Sequence, residues 1–186
     1  MNKYCMCCGE DVPTNIIVRD GQQEETCTYC GFILEIVKET RAETLPCVMT
    51  AEDSKFIRDL IQNALTQKQI AQEVLAFENG SELVAAFSRR VAGKQPVGLH
   101  ILDLNMPVMD GIATARTIRA IEGQHHLQKV PILFFSSARA TDDLKKQLSL
   151  FTPAVYMNKG SDSAPARLAE RVDQLINTII RMRAKK

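Results

Sequence analysis

The sequence predicts an α/β protein: a five-stranded parallel sheet wound on both sides by helices, preceded by a small β module. Five short apolar runs alternate with five amphipathic helical patterns from residue 46 onward, which is typical of a doubly wound sheet. Five of the six cysteines lie in the first thirty residues, which indicates a separate module there. The charged stretch KETRAETL separates the two parts. We expect the β module at 1–37, a linker at 38–45 and the α/β domain at 46–186.

The composition is typical of a soluble globular protein, with 45% hydrophobic and 24% charged residues. The longest apolar runs are too short to cross a membrane, and the start, MNKYCMCCGEDVP, lacks the apolar stretch of a secretion signal. We therefore expect a cytoplasmic protein with no membrane insertion. Cytoplasmic thiols stay reduced, so clustered cysteines there bind metal more often than they form disulfides.

Two Cys-x-x-Cys pairs define the N-terminal module. Each pair, Cys5 with Cys8 and Cys27 with Cys30, is followed by a glycine that can close the turn in a left-handed conformation. Four thiolates from two such turns are the ligand set of a tetrahedral zinc site, Zn²⁺. Iron suits the same four sulfurs. Cys7 could replace Cys5 or Cys8 as a ligand, although only those two repeat the spacing of the second pair.

The residues between and after the two cysteine pairs predict a hairpin and a further strand. Residues 16–18 are β-branched and lead into Asp20-Gly21, a hairpin turn signal, and a third strand follows at 32–37. The module thus resembles a zinc ribbon over roughly residues 3–37. A module this small has little core, so we expect metal binding to supply its folding free energy, on the order of 10 kcal/mol for structural zinc.

Each predicted element of the α/β domain has a local signal. Ser54 and Thr141 are suitable N-caps, Asn79-Gly80 is a turn signal before the second helix, and Pro165 suits the first turn of the last helix. The predicted strands, which are the five short apolar runs, are 46–50, 74–77, 99–102, 130–135 and 155–157. The predicted helices, which each bury one apolar face, are 56–65, 81–87, 112–121, one after Thr141 and one from Pro165.

Polar residues follow four of the predicted strands: Glu52 and Asp53, Asp103 and Asn105, Ser136, and Lys159. The carboxyl ends of parallel strands meet at one edge, where open α/β sheets bind their ligands. Carboxylates and a loop carbonyl are ligands for Mg²⁺, while a lysine and a hydroxyl can neutralise and orient a phosphoryl group. The sequence therefore predicts a magnesium-dependent phosphoryl site at this edge.

These residues lie in motifs that resemble the receiver domain of two-component response regulators, over about residues 45–183. The motifs are the acidic pair at 52–53, the run DLNMPVMDG at 103–111, the run PILFFS ending at Ser136, and Tyr156-x-x-Lys159. Each motif alone is weak, but the four in this order and spacing are specific to the family. The resemblance implies a flavodoxin-like receiver fold.

The resemblance also implies a role for the acidic residues. Asp103 would accept a phosphoryl group from a phosphohistidine of a sensor histidine kinase or phosphotransfer protein. Mg²⁺ would be held by Asp53, Asp103 and the main-chain carbonyl of Asn105. Glu52 would contribute through a water molecule.

Three further residues would respond to the phosphoryl group. Lys159 would pair with one of its oxygens, Ser136 would move to hydrogen-bond another, and Tyr156 would rotate inward as the switch aromatic of the family. Phosphorylation adds about −1.5 to −2 charges and three acceptor oxygens, so it would bias a two-state surface on the last strands and helices.

The sequence departs from the family pattern at four positions. Glu52 and Ser136 replace the commoner Asp and Thr with residues that preserve the chemistry. Gly160 stands where the family has a proline after a cis peptide bond. A cis bond before glycine costs about 2.5–4 kcal/mol, which leaves the geometry of the Lys159-Gly160 loop open. Ser137 replaces a small apolar residue and could narrow the access to the phosphoacceptor.

We therefore predict a response regulator that is not an enzyme beyond its own phosphorylation and dephosphorylation. No output domain follows within the 186 residues, so we expect the output at the ribbon, at the receiver surface or at a separate partner protein. A homodimer is one candidate assembly. Residues 1–45 carry a net charge of −4, against +5 for the remainder. An acidic ribbon repels a phosphate backbone, so we expect it to bind protein and not nucleic acid.

Three alternatives remain at this point. They are a scaffold that works without phosphorylation, a zinc ribbon that binds nucleic acid, and a haloacid-dehalogenase-like phosphatase, which also forms an aspartyl phosphate. The phosphatase needs a second Asp two positions after the nucleophile, where this chain has Asn105. His100 lies mid-strand among apolar residues, and we expect it in the core and not in a site.

Overall fold

A computed structural model of the chain describes residues 2–19, 22–37, 44–160 and 165–184. The chain forms two compact units, Met1–Glu43 and Thr44–Lys186. Most of the expected linker, residues 38–43, lies outside the described residues, and Leu45 belongs to a strand of the second unit. None of the helices in the described part combines the length and apolar character that a membrane crossing requires.

The N-terminal unit is a sheet of four antiparallel strands. They are β1 (Asn2–Cys5), β2 (Glu10–Arg19), β3 (Gln22–Cys27) and β4 (Ile33–Val37), neighbours in that order. β2 and β3 form the predicted hairpin, which pairs up to Arg19 with Gln22, while its turn, Asp20-Gly21, lies outside the described residues. β1 was not predicted from the sequence, because its four residues show no alternating apolar pattern.

Two turns carry the cysteine pairs, one between β1 and β2 and the other between β3 and β4. Gly9 and Gly31 close these turns with φ of +74° and +70°, the left-handed conformation that was expected there. Lys3 joins the strands on one side of the sheet, since its ammonium lies 2.6 Å from Glu25 and 2.5 Å from Glu35. Among the side chains that are described in this unit, Cys5, Val12 and Cys27 form a small buried centre.

The second unit contains a five-stranded parallel sheet. Its strands are β5 (Leu45–Ala51), β6 (Ala71–Phe77), β7 (Leu99–Leu102), β8 (Ile132–Ser136) and β9 (Ala154–Asn158). The spatial order is β6-β5-β7-β8-β9, so the chain leaves β5 toward one side and returns on the other. This order confirms the predicted doubly wound, flavodoxin-like fold, with its switch point between β5 and β7.

In the part of this unit that the structure describes, five helices cover the two faces of the sheet. They are α1 (Lys55–Gln67), α2 (Gly80–Ala92), α3 (Gly111–Gln124), α4 (Asp142–Ser149) and α5 (Pro165–Ala184). α1 and α5 pack on one face through residues such as Ile61 and Val172, and α2, α3 and α4 pack on the other through residues such as Phe87 and Ile118. The predicted winding on both sides is therefore confirmed.

Side-chain caps determine where the helices begin. Ser54 and Thr141 cap α1 and α4 as predicted. Asn79 accepts the Glu82 N–H at 3.0 Å, so α2 begins at Gly80, one residue earlier than predicted. Each cap satisfies an N–H group that the helix itself leaves unpaired.

The register of the sheet brings the carboxyl ends of the strands to a common edge. Ala51 at the end of β5 pairs with the last residue of β6 and of β7, and Ser136 at the end of β8 pairs with Asn158 at the end of β9. The polar residues that follow these strands therefore lie along one edge.

His100 in β7 is fully buried, as its apolar neighbours predicted. Its ring lies edge-on to the Phe87 ring, with centroids 4.9 Å apart, and neither ring nitrogen has a hydrogen-bond partner among the described residues. Burial, with a smaller contribution from the Arg119 charge, lowers the pKa of His100 from 6.5 to about 3. The folded chain therefore holds this imidazole neutral.

This neutral histidine predicts a loss of stability in mild acid. Below about pH 6.5 the unfolded chain binds a proton at His100 that the folded chain excludes. As the pH falls further, this residue therefore lowers the free energy of unfolding by about 1.4 kcal/mol per pH unit. Urea denaturation at about pH 7.5 and pH 5.5 measures how much the free energy of unfolding falls between the two pH values. This decrease should be smaller in His100→Leu than in the wild type. His125→Gln, at an exposed position, is the matched control. Equal losses in the wild type and His100→Leu would contradict this account.

Candidate functional site

A buried lysine joins two buried carboxylates at the carboxyl edge of the parallel sheet. Lys159, directly after β9, donates from Nζ to Oδ2 of Asp103 at 2.7 Å and to Oε2 of Glu52 at 2.5 Å. The exposed fraction of these residues is 5%, 6% and 2%, respectively. Buried charges are stable only when they are paired, so this cluster ties the ends of β5, β7 and β9 together.

The acidic residues of this cluster are arranged to hold a cation. One oxygen from each of Glu52, Asp53 and Asp103 lies within 4.8 Å of the others. The second carboxylate oxygen of Glu52 is buried and has no hydrogen-bond partner in the described part of the chain. Burial raises the pKa of Glu52 to about 7, although the Lys159 ammonium acts in the opposite direction. Hard oxygen donors with an unpaired buried atom fit a divalent cation such as Mg²⁺.

A cavity of about 400 Å³ lies over the cluster. Its lining combines acidic, amide, hydroxyl and cationic groups with apolar ones: Glu52, Asp53, Ser54, Phe56, Ile57, Asp103, Asn105, Ser137, Lys159, Gly160 and Leu168. A water molecule occupies about 30 Å³ in the liquid, so the cavity has room for a hydrated ion and a phosphoryl group. Ser137 is exposed and belongs to this lining.

The loop after β7 is shaped by the Asp110-Gly111 pair. Asp110 caps α3 by accepting the Ala113 N–H at 2.7 Å. A Cβ on Gly111 would lie 2.2 Å from the main-chain oxygen of Asp103, so only glycine lets α3 begin this close to β7. The Asn105 N–H donates to Oδ1 of Asp103 at 3.3 Å. The loop therefore orients the aspartate with its own backbone.

Ser136 and Tyr156 are not among the residues that line this cavity, but both are connected to the backbone of Lys159 through the Ser136 carbonyl. Ser136 is buried, and its hydroxyl oxygen accepts the Ala138 N–H at 3.5 Å. Its carbonyl accepts the Lys159 N–H at 2.9 Å and the Tyr156 hydroxyl at 3.2 Å. The half-buried Tyr156 also donates its hydroxyl to the Ala138 carbonyl. The structure thus links these residues through the loop after β8, while Ser137 lines the cavity.

Arg58 was missed by the sequence interpretation. Its guanidinium Nη1 donates to the carbonyls of Glu52 and Asp53 at 2.7 and 3.2 Å, and Nη2 pairs with Glu78 at 2.9 Å. It therefore holds the loop that carries two of the acidic residues. The available signal was its position on α1, since Arg58 shares the buried helical spacing of Ile61.

The Lys159-Gly160 peptide bond is trans, which settles the open geometry of this loop; in the described part of the chain the cis bond is Thr152-Pro153. Gly160 has φ of +79°, which proline cannot adopt because its ring fixes φ near −65°. Its N–H also donates to Oδ1 of Asn158 at 2.6 Å, a bond that proline cannot make. Glycine therefore suits this loop where proline does not.

The N-terminal unit holds a cluster of four cysteines. Sγ of Cys5 lies 3.6 Å from Sγ of Cys30, and Sγ of Cys8 lies 3.8 Å from Sγ of Cys27. All four sulfurs lie within 4.8 Å of one another, whereas the fifth cysteine of the unit, Cys7, is exposed and outside the cluster. Four sulfurs at this spacing are compatible with one tetrahedral metal ion.

The backbone around the cluster favours a thiolate at one position. Burial opposes ionisation of Cys27, but N–H groups of Cys30 and Tyr29 lower its pKa to about 7. The neighbouring Cys30 thiol, followed by burial, raises the pKa of Cys8. Thiols this close cannot all ionise without a cation, so a bound metal would stabilise the charged forms.

The fold and the residues of the edge cluster correspond to a known protein family. The family model of the response regulator receiver domain matches residues 48–165, and the chain belongs to this family. Receiver domains work in two-component signalling, bind Mg²⁺ at their acidic site and interact with histidine kinases and phosphotransfer proteins.

Two curated relatives resemble the chain in sequence. A protein-glutamate methylesterase/protein-glutamine glutaminase of Shewanella frigidimarina is 31% identical over 136 residues, covering 69% of this chain and 31% of that protein. Chemotaxis protein CheV2 of Helicobacter pylori is 31% identical over 113 residues, covering 57% of this chain and 34% of that protein. The chain thus spans about a third or less of the length of the curated relatives that it matches.

Solved receiver domains share the fold. The receiver domain of the histidine kinase CKI1 from Arabidopsis thaliana, solved with Mg²⁺ and BeF3⁻, has a TM-score of 0.61 at 21% identity, covering 76% of this chain and 91% of that chain. The response regulator domain of Thermotoga maritima CheB has a TM-score of 0.59 at 16% identity, covering 75% and 97%. The phosphorylated cyanobacterial phytochrome response regulator RcpA has a TM-score of 0.57 at 25% identity, covering 73% and 94%.

Proposed function

We propose that the chain is a response regulator in which Asp103 accepts a phosphoryl group from a phosphohistidine of a sensor histidine kinase or phosphotransfer protein. The observation that carries this proposal is the buried cluster of Lys159, Asp103 and Glu52 beside a cavity of about 400 Å³. The Lys159 ammonium and the carboxylates of Asp103 and Glu52 are all present, which argues against a scaffold that works without phosphorylation. Beyond its own phosphorylation and dephosphorylation, we propose no enzymatic activity for it.

In the proposed reaction a carboxylate oxygen of Asp103 forms a bond to phosphorus while the bond from phosphorus to the imidazole nitrogen breaks. Lys159 already pairs with this carboxylate, so its ammonium lies where the charge of the phosphoryl oxygens develops. The proposed Mg²⁺ ligands are the carboxylates of Asp53 and Asp103 and the main-chain carbonyl of Asn105. Glu52 would contribute through a water molecule. The bound ion would neutralise phosphoryl charge.

We propose that Ser136 and Tyr156 carry the signal away from Asp103. The Ser136 hydroxyl would move from the Ala138 N–H to a phosphoryl oxygen. The Tyr156 hydroxyl donates to the carbonyls of both Ser136 and Ala138, so a shift of this loop changes the partners of Tyr156. Phosphorylation would thus alter the surface formed by the last strands and helices.

We propose that the N-terminal unit is a zinc ribbon and that Zn²⁺ is held by Cys5, Cys8, Cys27 and Cys30. Its role would be to dock an output protein. The sulfur cluster supports the metal, and the net charge of −4 on residues 1–45 opposes a phosphate backbone. Met6 and Tyr29, inside the two cysteine turns, are 79% and 68% exposed and would offer apolar side chains to a docked protein.

Beryllofluoride with Mg²⁺ should bind the wild-type protein, because it stands in for a phosphoryl group on the aspartate. At about 100 times the dissociation constant the free energy of unfolding should rise by about 2.7 kcal/mol, which thermal denaturation detects. Asp103→Asn should abolish this stabilisation. Asp59→Asn, an exposed aspartate on α1, is the matched control and should retain it. A stabilisation that survives in Asp103→Asn, or none in the wild type, would favour the scaffold.

Elemental analysis should find one zinc ion per chain in the purified protein. Cys30→Ser should lose the metal, because it removes a sulfur from the cluster, whereas Cys7→Ser should keep it. Equal loss of zinc in both variants would contradict the proposed ligand set, and iron in its place would identify the other metal that suits four sulfurs.

Gel-shift experiments with duplex DNA or RNA at low salt should show no retarded band for the full chain. The acidic N-terminal unit would become more negative once four thiolates surround a divalent metal, and this charge repels phosphate. Tight binding that weakens steeply with added salt would overturn the proposed protein-docking role.

A further inference from the structure

The side chain of Asn158, the last residue of β9, hydrogen-bonds to residues that come before Lys159 in the chain and to the residue that follows it. Its amide nitrogen donates to the Ala138 carbonyl at 2.7 Å and to the Tyr156 hydroxyl at 3.1 Å. Its amide oxygen accepts the Gly160 N–H at 2.6 Å. One side chain thus connects the loop after β8, the tyrosine and the residue that follows the lysine.

These bonds restrict the backbone that carries the lysine. Lys159 lies between Asn158 and Gly160, and its own N–H donates to the Ser136 carbonyl at 2.9 Å. Gly160 takes φ of +79° directly after it, a conformation that the Asn158 oxygen stabilises by accepting the Gly160 N–H. With the chain held before, at and after Lys159, its ammonium is delivered to Oδ2 of Asp103 at 2.7 Å.

We propose that Asn158 is a positioning residue that couples the Tyr156 hydroxyl to the placement of the Lys159 ammonium. This inference rests on the proposed phosphorylation of Asp103. Any rearrangement of Tyr156 and Ala138 on phosphorylation changes the two acceptors of the Asn158 amide. The same amide holds Gly160, so the rearrangement reaches the loop of Lys159 through one planar group.

The chemistry of the side chain fits this role. A primary amide can donate hydrogen bonds and accept them at the same time, and here the nitrogen donates two while the oxygen accepts one. Aspartate could accept the Gly160 N–H but has no donor for the Tyr156 hydroxyl or the Ala138 carbonyl. Asn158 is exposed, so its replacement removes these bonds without opening a cavity in the core.

The test compares Asn158→Ala and Asn158→Asp with the wild-type full chain. Asn63→Ala, an exposed asparagine on α1, is the matched control. Four quantities are measured for each protein: the rate of phosphorylation by acetyl phosphate, the affinity for beryllofluoride with Mg²⁺, the affinity for Mg²⁺ alone, and the melting temperature.

Asn158→Ala should lower the rate and the beryllofluoride affinity by about tenfold, because a neutral hydrogen bond changes a constant by about three- to tenfold and several are lost. The affinity for Mg²⁺ alone should stay within about twofold of the wild-type value, because Arg58 holds the loop of Glu52 and Asp53 through their carbonyls. Asn158→Asp should fall between Asn158→Ala and the wild type. A variant that merely disturbed the fold would lower the Mg²⁺ affinity and the melting temperature in parallel, and this result would overturn the role.

The coupling itself is tested by combining Asn158→Ala with Tyr156→Phe. If the amide transmits between Tyr156 and Lys159, the double variant should lose much less than the product of the two single losses in beryllofluoride affinity. A double loss equal to that product would contradict the coupling. Failure of the wild type to bind beryllofluoride would overturn the proposed function and this inference together. A wild-type response that Asn158→Ala leaves unchanged would overturn this inference alone.

Discussion

The pairing of buried Lys159 with the carboxylates of Asp103 and Glu52 is the interaction on which the second unit depends. A buried ion that loses its partner costs about 3–5 kcal/mol, so the three side chains are stable only together. They follow β9, β7 and β5, which are not all neighbours in the sheet. The parallel register must therefore bring these strand ends to one edge, and the loops after them must hold that position.

The same cluster carries an excess of negative charge, and this excess underlies the proposed chemistry. Three carboxylates, those of Glu52, Asp53 and Asp103, lie together, and Lys159 pairs with two of them, Glu52 and Asp103. Burial raises the pKa of Glu52, and its buried second oxygen has no hydrogen-bond partner among the described residues, so a bound cation would stabilise the charged carboxylate. The N-terminal unit shows a parallel situation in sulfur, since its four clustered thiols can all ionise only beside a cation. Each unit thus holds together groups that a metal ion would stabilise.

Much of the fold and of the edge cluster could be predicted from local sequence signals. Apolar periodicity predicted the parallel sheet, and Ser54 and Thr141 could be assigned as caps because a cap acts within three residues. The contacts of Arg58 with Glu78 and of Asn158 with Ala138 could not be predicted, because only folding brings these partners together: each pair is 20 residues apart in the chain. The strand β1 also depends on pairing with β2 and lacks a periodicity of its own.

Intact-mass spectrometry after incubation with acetyl phosphate and Mg²⁺ tests the central claim most directly. The wild-type chain should gain the mass of one phosphoryl group, and alkali should remove it, because an acyl phosphate hydrolyses readily. Asp103→Asn should gain none. An unmodified wild-type chain, or a phosphoryl group that persists in Asp103→Asn, would contradict the assignment of Asp103 as the phosphoacceptor.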